Sequence, residues 1–410
     1  MNLPKLQSLF VFSYTHIKFF GLVTLFLALA AYLSPYGLYS SGDTKLNLVS
    51  NTNIAILPSK GPGDPPVLAY WIYGSRGDGQ RILRLLKAVY HPRNQYLLLL
   101  DASSSSDERT DLALYVQSDP VFSSFDNVNV IGRSYAVNQM GGSALAALLH
   151  ASALLLKLST LWDWFIPLSA ADYPLMTQDD ILHAFTFLPR DLNFVHFANT
   201  SSSSSDEVER VKQVIVDPDV YDRKGSPIFY AKETRNAPNT FKILAGSPWV
   251  ILSRSLIEFC VKGWDNFPRK LLMYMSNVAS PLEFYFQTVI CNTPSFHNTT
   301  IDKDLRHVMS RDDSLTKMGE MVIVVKNEDD AVLQEIDSNI LNRSTNGVVP
   351  GKWCLEQKTN ATSDGDLKKD IQKWGDINSV KASPQGVKLG LTLSRLASER
   401  VDVCTNPSTS

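Results

Sequence analysis

The most constraining feature of the chain is an alternation that begins at Val67. Short apolar runs give way to polar or glycine-rich loops, and each loop leads into a helical stretch. VLAYWIYG reads as a buried strand that stops at Gly74-Ser75-Arg76-Gly77-Asp78-Gly79. Ile82, Leu85, Leu86 and Val89 then recur at the spacing of one helix face. QYLLLLD (95–101) is a second strand ending on an acid, and VNVIG (128–132) is a third. The Ala- and Leu-rich stretch 142–158 reads as a buried helix. DWFIPLSAADYPL supplies a fourth strand that opens into a polar loop, and NFVHFA (193–198) a fifth. Between them Thr177 and Asp180 resemble a capping box. This order predicts an α/β fold, a Rossmann-type, mostly parallel sheet flanked by helices. Such sheets bind ligands at the carboxyl ends of their strands, here the loops at 74–79, Asp101 and 169–172. The first loop could cradle a phosphate on its amides. GSRGDG matches neither G-x-G-x-x-G nor a P-loop, however, and a tight turn explains its glycines equally well.

Upstream, Phe19 to Tyr39 is a run of 21 uncharged residues. That length crosses about 30 Å of hydrocarbon as a helix, so a single transmembrane signal anchor is expected over 19–39. Lys5 and Lys18 precede it and the first acid is Asp43, which keeps residues 1–18 in the cytosol. A cleaved signal peptide is the rival reading, with a shorter apolar run than is found here. Residues 40–66, polar and closing on SKGPGDPP, read as a lumenal stem.

With 44% hydrophobic and 20% charged residues the rest is globular, and a net charge of −2 offers no basic face for nucleic acid. Asn199, Asn298, Asn342 and Asn360 stand in glycosylation sequons, in keeping with a lumenal body. Cys260, Cys291, Cys354 and Cys404 show no metal-ligand spacing. Two disulfides in an oxidising lumen, or small buried apolar residues, fit them about equally.

Several ordered segments resemble the plant branch of glycosyltransferase family 14, which includes the core-2/I-branching N-acetylglucosaminyltransferases and peptide xylosyltransferases. They are AYWIYGSRGDGQRILRLLKAVYHPRNQYLLLLD, WDWFIPLSAADYPLMTQDDILHAF, GSPWVILSRSLIEFCVKGWDN and SPLEFYFQTVICNTP, with KWGDINSVKASPQGVKLGLTLSRL near the end. The resemblance implies a GT-A-like catalytic domain over 67–355, with 356–410 a polar segment packing on it or trailing it. It implies a Golgi type II membrane protein and inverting transfer from a UDP-sugar substrate without an essential metal or other cofactor. Through its plant members it implies glucuronic acid moved from UDP-glucuronate onto β-galactan side chains of arabinogalactan proteins. N-acetylglucosaminyl or xylosyl transfer, or a catalytically weak lumenal carbohydrate-binding relative, are the alternatives.

The same resemblance assigns residues. Glu283, in the S-P-x-E context of SPLEFYFQTV, becomes the general base, although a helix-start Glu is the plain alternative. Trp249 and Arg254 fall on the acceptor side, where indole stacks on sugar faces. Gly74, Arg76, Asp101 and Asp172 are candidates for the donor, each also explicable as an ordinary loop residue. In MVIVVKNEDDAVL (321–333) Val324 and Val325 stand where the family carries a basic pair, leaving Lys326 as the candidate cation for the diphosphate. Asp217 and Asp219 in KQVIVDPD mimic a metal-binding Asp-x-Asp but read as a turn in the acceptor half.

Overall fold

The computed structural model describes residues 57–198, 209–221, 226–263, 265–308, 321–324, 330–344, 346–354, 374–400, 402 and 404. The strands are β1 (Leu68–Gly74), β2 (Gln95–Leu100), β3 (Val128–Val130), β4 (Trp164–Ser169), β5 (Asp172–Pro174), β6 (Asn193–Phe197), β7 (Gln213–Val216), β8 (Phe229–Thr234), β9 (Gly246–Ser253), β10 (Thr300–Ile301), β11 (Arg306–Val308) and β12 (Val322–Val324). The principal sheet runs β10-β6-β9-β4-β1-β2-β3, with small sheets β11-β12-β5 and β7-β8 beside it.

β1 pairs in parallel with both β2 and β4, and β2 with β3. The chain therefore winds outward from β1 and returns across it to β4, which makes the β1/β4 crevice the topological switch point. β9 runs against both β4 and β6, so the sheet is mixed, yet the other six strands share one direction and it is mostly parallel, as expected. The expected fourth strand also divides. Ser169 ends β4, and β5 turns away to pair with β12.

Alternation along the central strands explains the layers. Leu68, Tyr70 and Ile72 face one core, while Ala69 and Trp71 face the other. Strands buried on both sides read as continuous apolar runs for this reason. The first face is covered by α1 (Gly79–Ala88), α2 (Ser106–Ser118) and α3 (Pro120–Phe125). The opposite face takes α4 (Gly142–Leu158). α5 (Gln178–Thr186) packs on the first face, capped by the Thr177 hydroxyl, which accepts from the Asp180 amide as expected. α6 (Arg254–Lys262), α7 (Asn266–Met275) and α8 (Tyr285–Cys291) cover the second.

α9 (Asp330–Asn339) and α10 (Pro384–Ser398) return to the first face. α10 lies on α5 at close range. A Cβ on Gly386 would stand 2.3 Å from the Asp180 carboxylate, so only glycine fits there. Residues 374–397 thus complete this core.

The last part of the expected stem is also bound to the body. Arg93, fully buried, donates to the carbonyls of Ser59, Pro65 and Pro66, and Arg190 donates to that of Asp64. A guanidinium can satisfy several carbonyls at once, which is why this segment is held. Among the described residues no helix is long and apolar enough to cross a membrane. The expected anchor and cytosolic tail, with Asn199, Lys326 and Asn360, lie outside them.

Candidate active site

A cavity of about 570 Å³ opens at the carboxyl ends of β1 and β4. Tyr73 and Gly74 from β1, Asp101 after β2 and Ser169 from β4 form one side. Met140, Trp249 and Glu283 form the other. Trp71 and Tyr73 stack with ring centroids 4.5 Å apart and make an apolar floor. Their opposite number, Trp249, is half-buried on β9, whose reversed direction brings its beginning to the end of β4.

The glycine-rich loop is a turn whose amides are already taken by carboxylates, Asp78 of the loop and Glu108 of α2. Gly77 holds φ +87°, where a side chain would be strained. The amides of Gly77 and Gly79 donate to Glu108 at 3.0 Å, and the Ser75 amide donates to Asp78 at 2.8 Å. Gly74 remains on the cavity wall, where a Cβ would stand 2.7 Å from that of Asp78. Arg76 does not line the cavity. Its Nε donates to the Ser103 carbonyl, which holds it against the neighbouring loop. Asp101 reaches the wall and accepts from the Ser103 amide. Among the described residues the cation on this wall is Arg81, in the first turn of α1 and paired with Asp78 at 3.4 Å, which the sequence reading did not select. Its signal was a basic residue two positions past the glycine loop, on the turn facing the strand ends.

Asp172 is buried behind the wall. It accepts from the Ser169 amide and hydroxyl at 2.6 and 2.9 Å and pairs with Arg306 of β11. Burial pushes its carboxyl up from the ordinary range, while Arg306 pulls it down. Arg306 in turn lies over the Trp249 ring. Asp172 therefore shapes the β4 loop and, through Arg306, backs Trp249, with no direct face on the cavity.

Glu283 sits in a 3-10 turn, Pro281–Glu283, that follows Ser280 at φ 52°, a left-handed conformation. Non-glycine residues adopt it at some cost, and here it swings Leu282 and Glu283 onto the cavity wall. Ser280 donates its amide to the Met140 carbonyl, which ties this turn to the loop before α4.

Two other sites are explained structurally. Asp217 is buried and accepts from the Ser143 amide (2.8 Å) and hydroxyl (2.6 Å), capping α4. Its second oxygen takes the Asp219 amide at 3.0 Å, so Asp217-Pro-Asp219 is the expected turn, with the Asp219 carboxylate accepting from Ser226. Arg254 is not at the cavity. It stands five positions beyond Trp249, about 17 Å along an extended chain, and β9 carries it to the opposite end of the sheet beside Trp164. There it donates to the Ser159 carbonyl and pairs with Glu258.

Asn298 and Asn342 are exposed. Of the four cysteines, Cys291 and Cys404 form a disulfide, Cys260 is a buried free thiol and Cys354 a partly exposed one.

Comparison with known proteins places this site in context. A family model described as Core-2/I-Branching enzyme matches residues 68–330. The chain is 41% identical over 363 residues to beta-glucuronosyltransferase GlcAT14A of Arabidopsis thaliana, covering 84% of this chain and 78% of that protein. It is 42% identical over 348 residues to GlcAT14C of the same plant, covering 81% of this chain and 86% of that protein. Xylosyltransferase 1 of Rattus norvegicus is 27% identical over 246 residues, 60% of this chain and 28% of that protein.

Proposed function

Since the chain belongs to the core-2/I-branching enzyme family, glycosyltransferase family 14, we infer that it transfers glucuronic acid from UDP-glucuronate to the β-galactan side chains of arabinogalactan proteins. The observation that carries this reading is Glu283 on the wall of the switch-point cavity, which Trp249 also lines. Glu283 takes the proton of an acceptor hydroxyl as its oxygen attacks the anomeric carbon. The bond from that carbon to the diphosphate breaks, and UDP leaves with the electron pair. A single displacement of this kind inverts the anomeric centre. Trp249 offers an indole face for a sugar ring.

UDP-glucuronate is an anion, and its leaving diphosphate needs positive charge. We assign Arg81 to that task, with Lys326 the further candidate. No metal is invoked, because the Asp217 carboxylate is consumed in capping α4. The assay that tests these statements offers UDP-glucuronate, UDP-xylose and UDP-N-acetylglucosamine in turn, with a β-1,3-galacto-oligosaccharide and excess EDTA. The expected outcome is glucuronate transfer unaffected by chelation, with Arg81→Ala raising the donor KM. A preference for xylose, or activity lost to EDTA and restored by Mn²⁺, contradicts it.

The Cys291–Cys404 disulfide and the exposed sequons at Asn298 and Asn342 support a Golgi-lumenal body behind a type II anchor. Expressed in a eukaryotic secretory pathway, the full-length protein is expected to shift to higher mobility on endoglycosidase treatment. Absence of any shift, with every sequon unmodified, counts against this topology.

A further inference from the structure

Beside the cavity, Arg210 approaches the Glu283 carboxylate through a contact that the preceding mechanism does not use. Its guanidinium donates to Glu283 Oε2 at 2.7 Å and lies over the buried ring of Phe284, 5.0 Å from the centroid. The backbone that follows it is fixed by the body of the protein. The Val211 carbonyl accepts from Tyr274, the Lys212 carbonyl accepts from the Arg235 amide, and Val211 is fully buried. Farther along the same hairpin, Asp217 caps α4. Arg210 is thus mounted on a scaffold that touches both the Ser280–Glu283 turn and the helix lining the cavity.

The pair is too exposed to be explained by stability. Its side chains keep 40% and 32% of their surface, and exposed ion pairs contribute between nothing and about 1 kcal/mol. The contact does restrict rotation of the Glu283 side chain. One carboxylate oxygen is taken, and for the other, Oε1, no hydrogen-bond partner is found among the described residues. A flexible glutamate on a 3-10 turn would otherwise sample several rotamers, and a general base works only within hydrogen-bond reach of the proton it removes.

We propose that Arg210 is a positioning residue that clamps Oε2 of Glu283 and aims Oε1 at the acceptor hydroxyl. The proposal rests on the reading of Glu283 as the base. It requires Arg210 to act on kcat through Glu283, whereas an acceptor-binding arginine acts on acceptor affinity.

The test measures kcat and both KM values for Arg210→Ala, Arg210→Met and Arg210→Lys, using UDP-glucuronate and a β-1,3-galacto-oligosaccharide. Glu283→Gln is run alongside. Mispositioning a reacting group costs up to about 100-fold. Arg210→Ala and Arg210→Met are therefore expected to lose about 10- to 100-fold in kcat with both KM values held. Methionine preserves the packing on Phe284, so a variant that is folded yet slow separates charge from scaffold. Lysine retains a cation within reach and should recover much of the loss. An unchanged kcat, a rise confined to acceptor KM, or a lysine variant no better than methionine overturns the proposal. Turnover retained by Glu283→Gln instead removes the base assignment itself, and that outcome is distinct from a null effect at Arg210.

Discussion

Replacing Glu283 with glutamine is expected to lower the transfer rate by about 10²- to 10⁴-fold while the protein stays folded and binds its donor. Glutamine keeps the size and hydrogen-bonding outline of the side chain but has no proton acceptor at neutral pH. The loss therefore falls on the transition state and appears in kcat, with donor affinity little changed. Fold and packing should survive, because Glu283 contributes one half-exposed ion pair and a backbone turn that the substitution leaves alone. Steady-state kinetics beside UDP binding by calorimetry would check both halves. Near-normal turnover would remove the base, and weakened UDP binding would show that Glu283 serves the donor.

The largest stability effect is expected at Asp337. Its carboxylate accepts from Arg343 (2.6 and 2.8 Å), from the Tyr173 hydroxyl at 2.5 Å and from Arg84 at 3.1 Å. Arg343 has no exposed side-chain surface, and Tyr173 is buried in β5. Asp337→Ala leaves the Arg343 charge buried without its partner, a class of change that costs about 3–5 kcal/mol. Burial decides the magnitude, since an equivalent pair at the surface contributes about 1 kcal/mol or less. The network fastens α9 to β5, and β5 carries the Asp172 loop that backs the cavity. Urea unfolding should show a lower midpoint, with donor affinity falling in step. A loss under about 1 kcal/mol would mean that the buried arginine finds another partner.

The central architecture was legible because its signals are local. Continuous apolar runs mark β1 and β2, a 3.6-residue period marks α1 and an Ala- and Leu-rich stretch marks α4, each within a few residues, and a βα alternation has few solutions. The reversal of β9 left no such mark. GSPWVILS has the composition of a buried strand in either direction, and only pairing with β4 and β6 fixes its sense. That reversal explains both halves of the acceptor reading. Trp249 near the start of the strand reaches the cavity, and Arg254 just past its end does not. Glu283 was readable because its motif is contiguous in sequence. Arg210 and Arg306 were not, because the contacts that give them meaning span 73 and 134 residues. At 74–79 the sequence offered a phosphate cradle or a turn, and Glu108, 29 residues from Gly79, decides for the turn.

The central claim is that this cavity carries out a single inverting displacement of glucuronate. The most direct measurement is proton NMR of the product formed from α-linked UDP-glucuronate and a β-galactan oligosaccharide. The expected result is one new β-glucuronosyl anomeric signal, growing as UDP is released and absent with Glu283→Gln. An α-linked product, or UDP release with no glycosidic product, would contradict it.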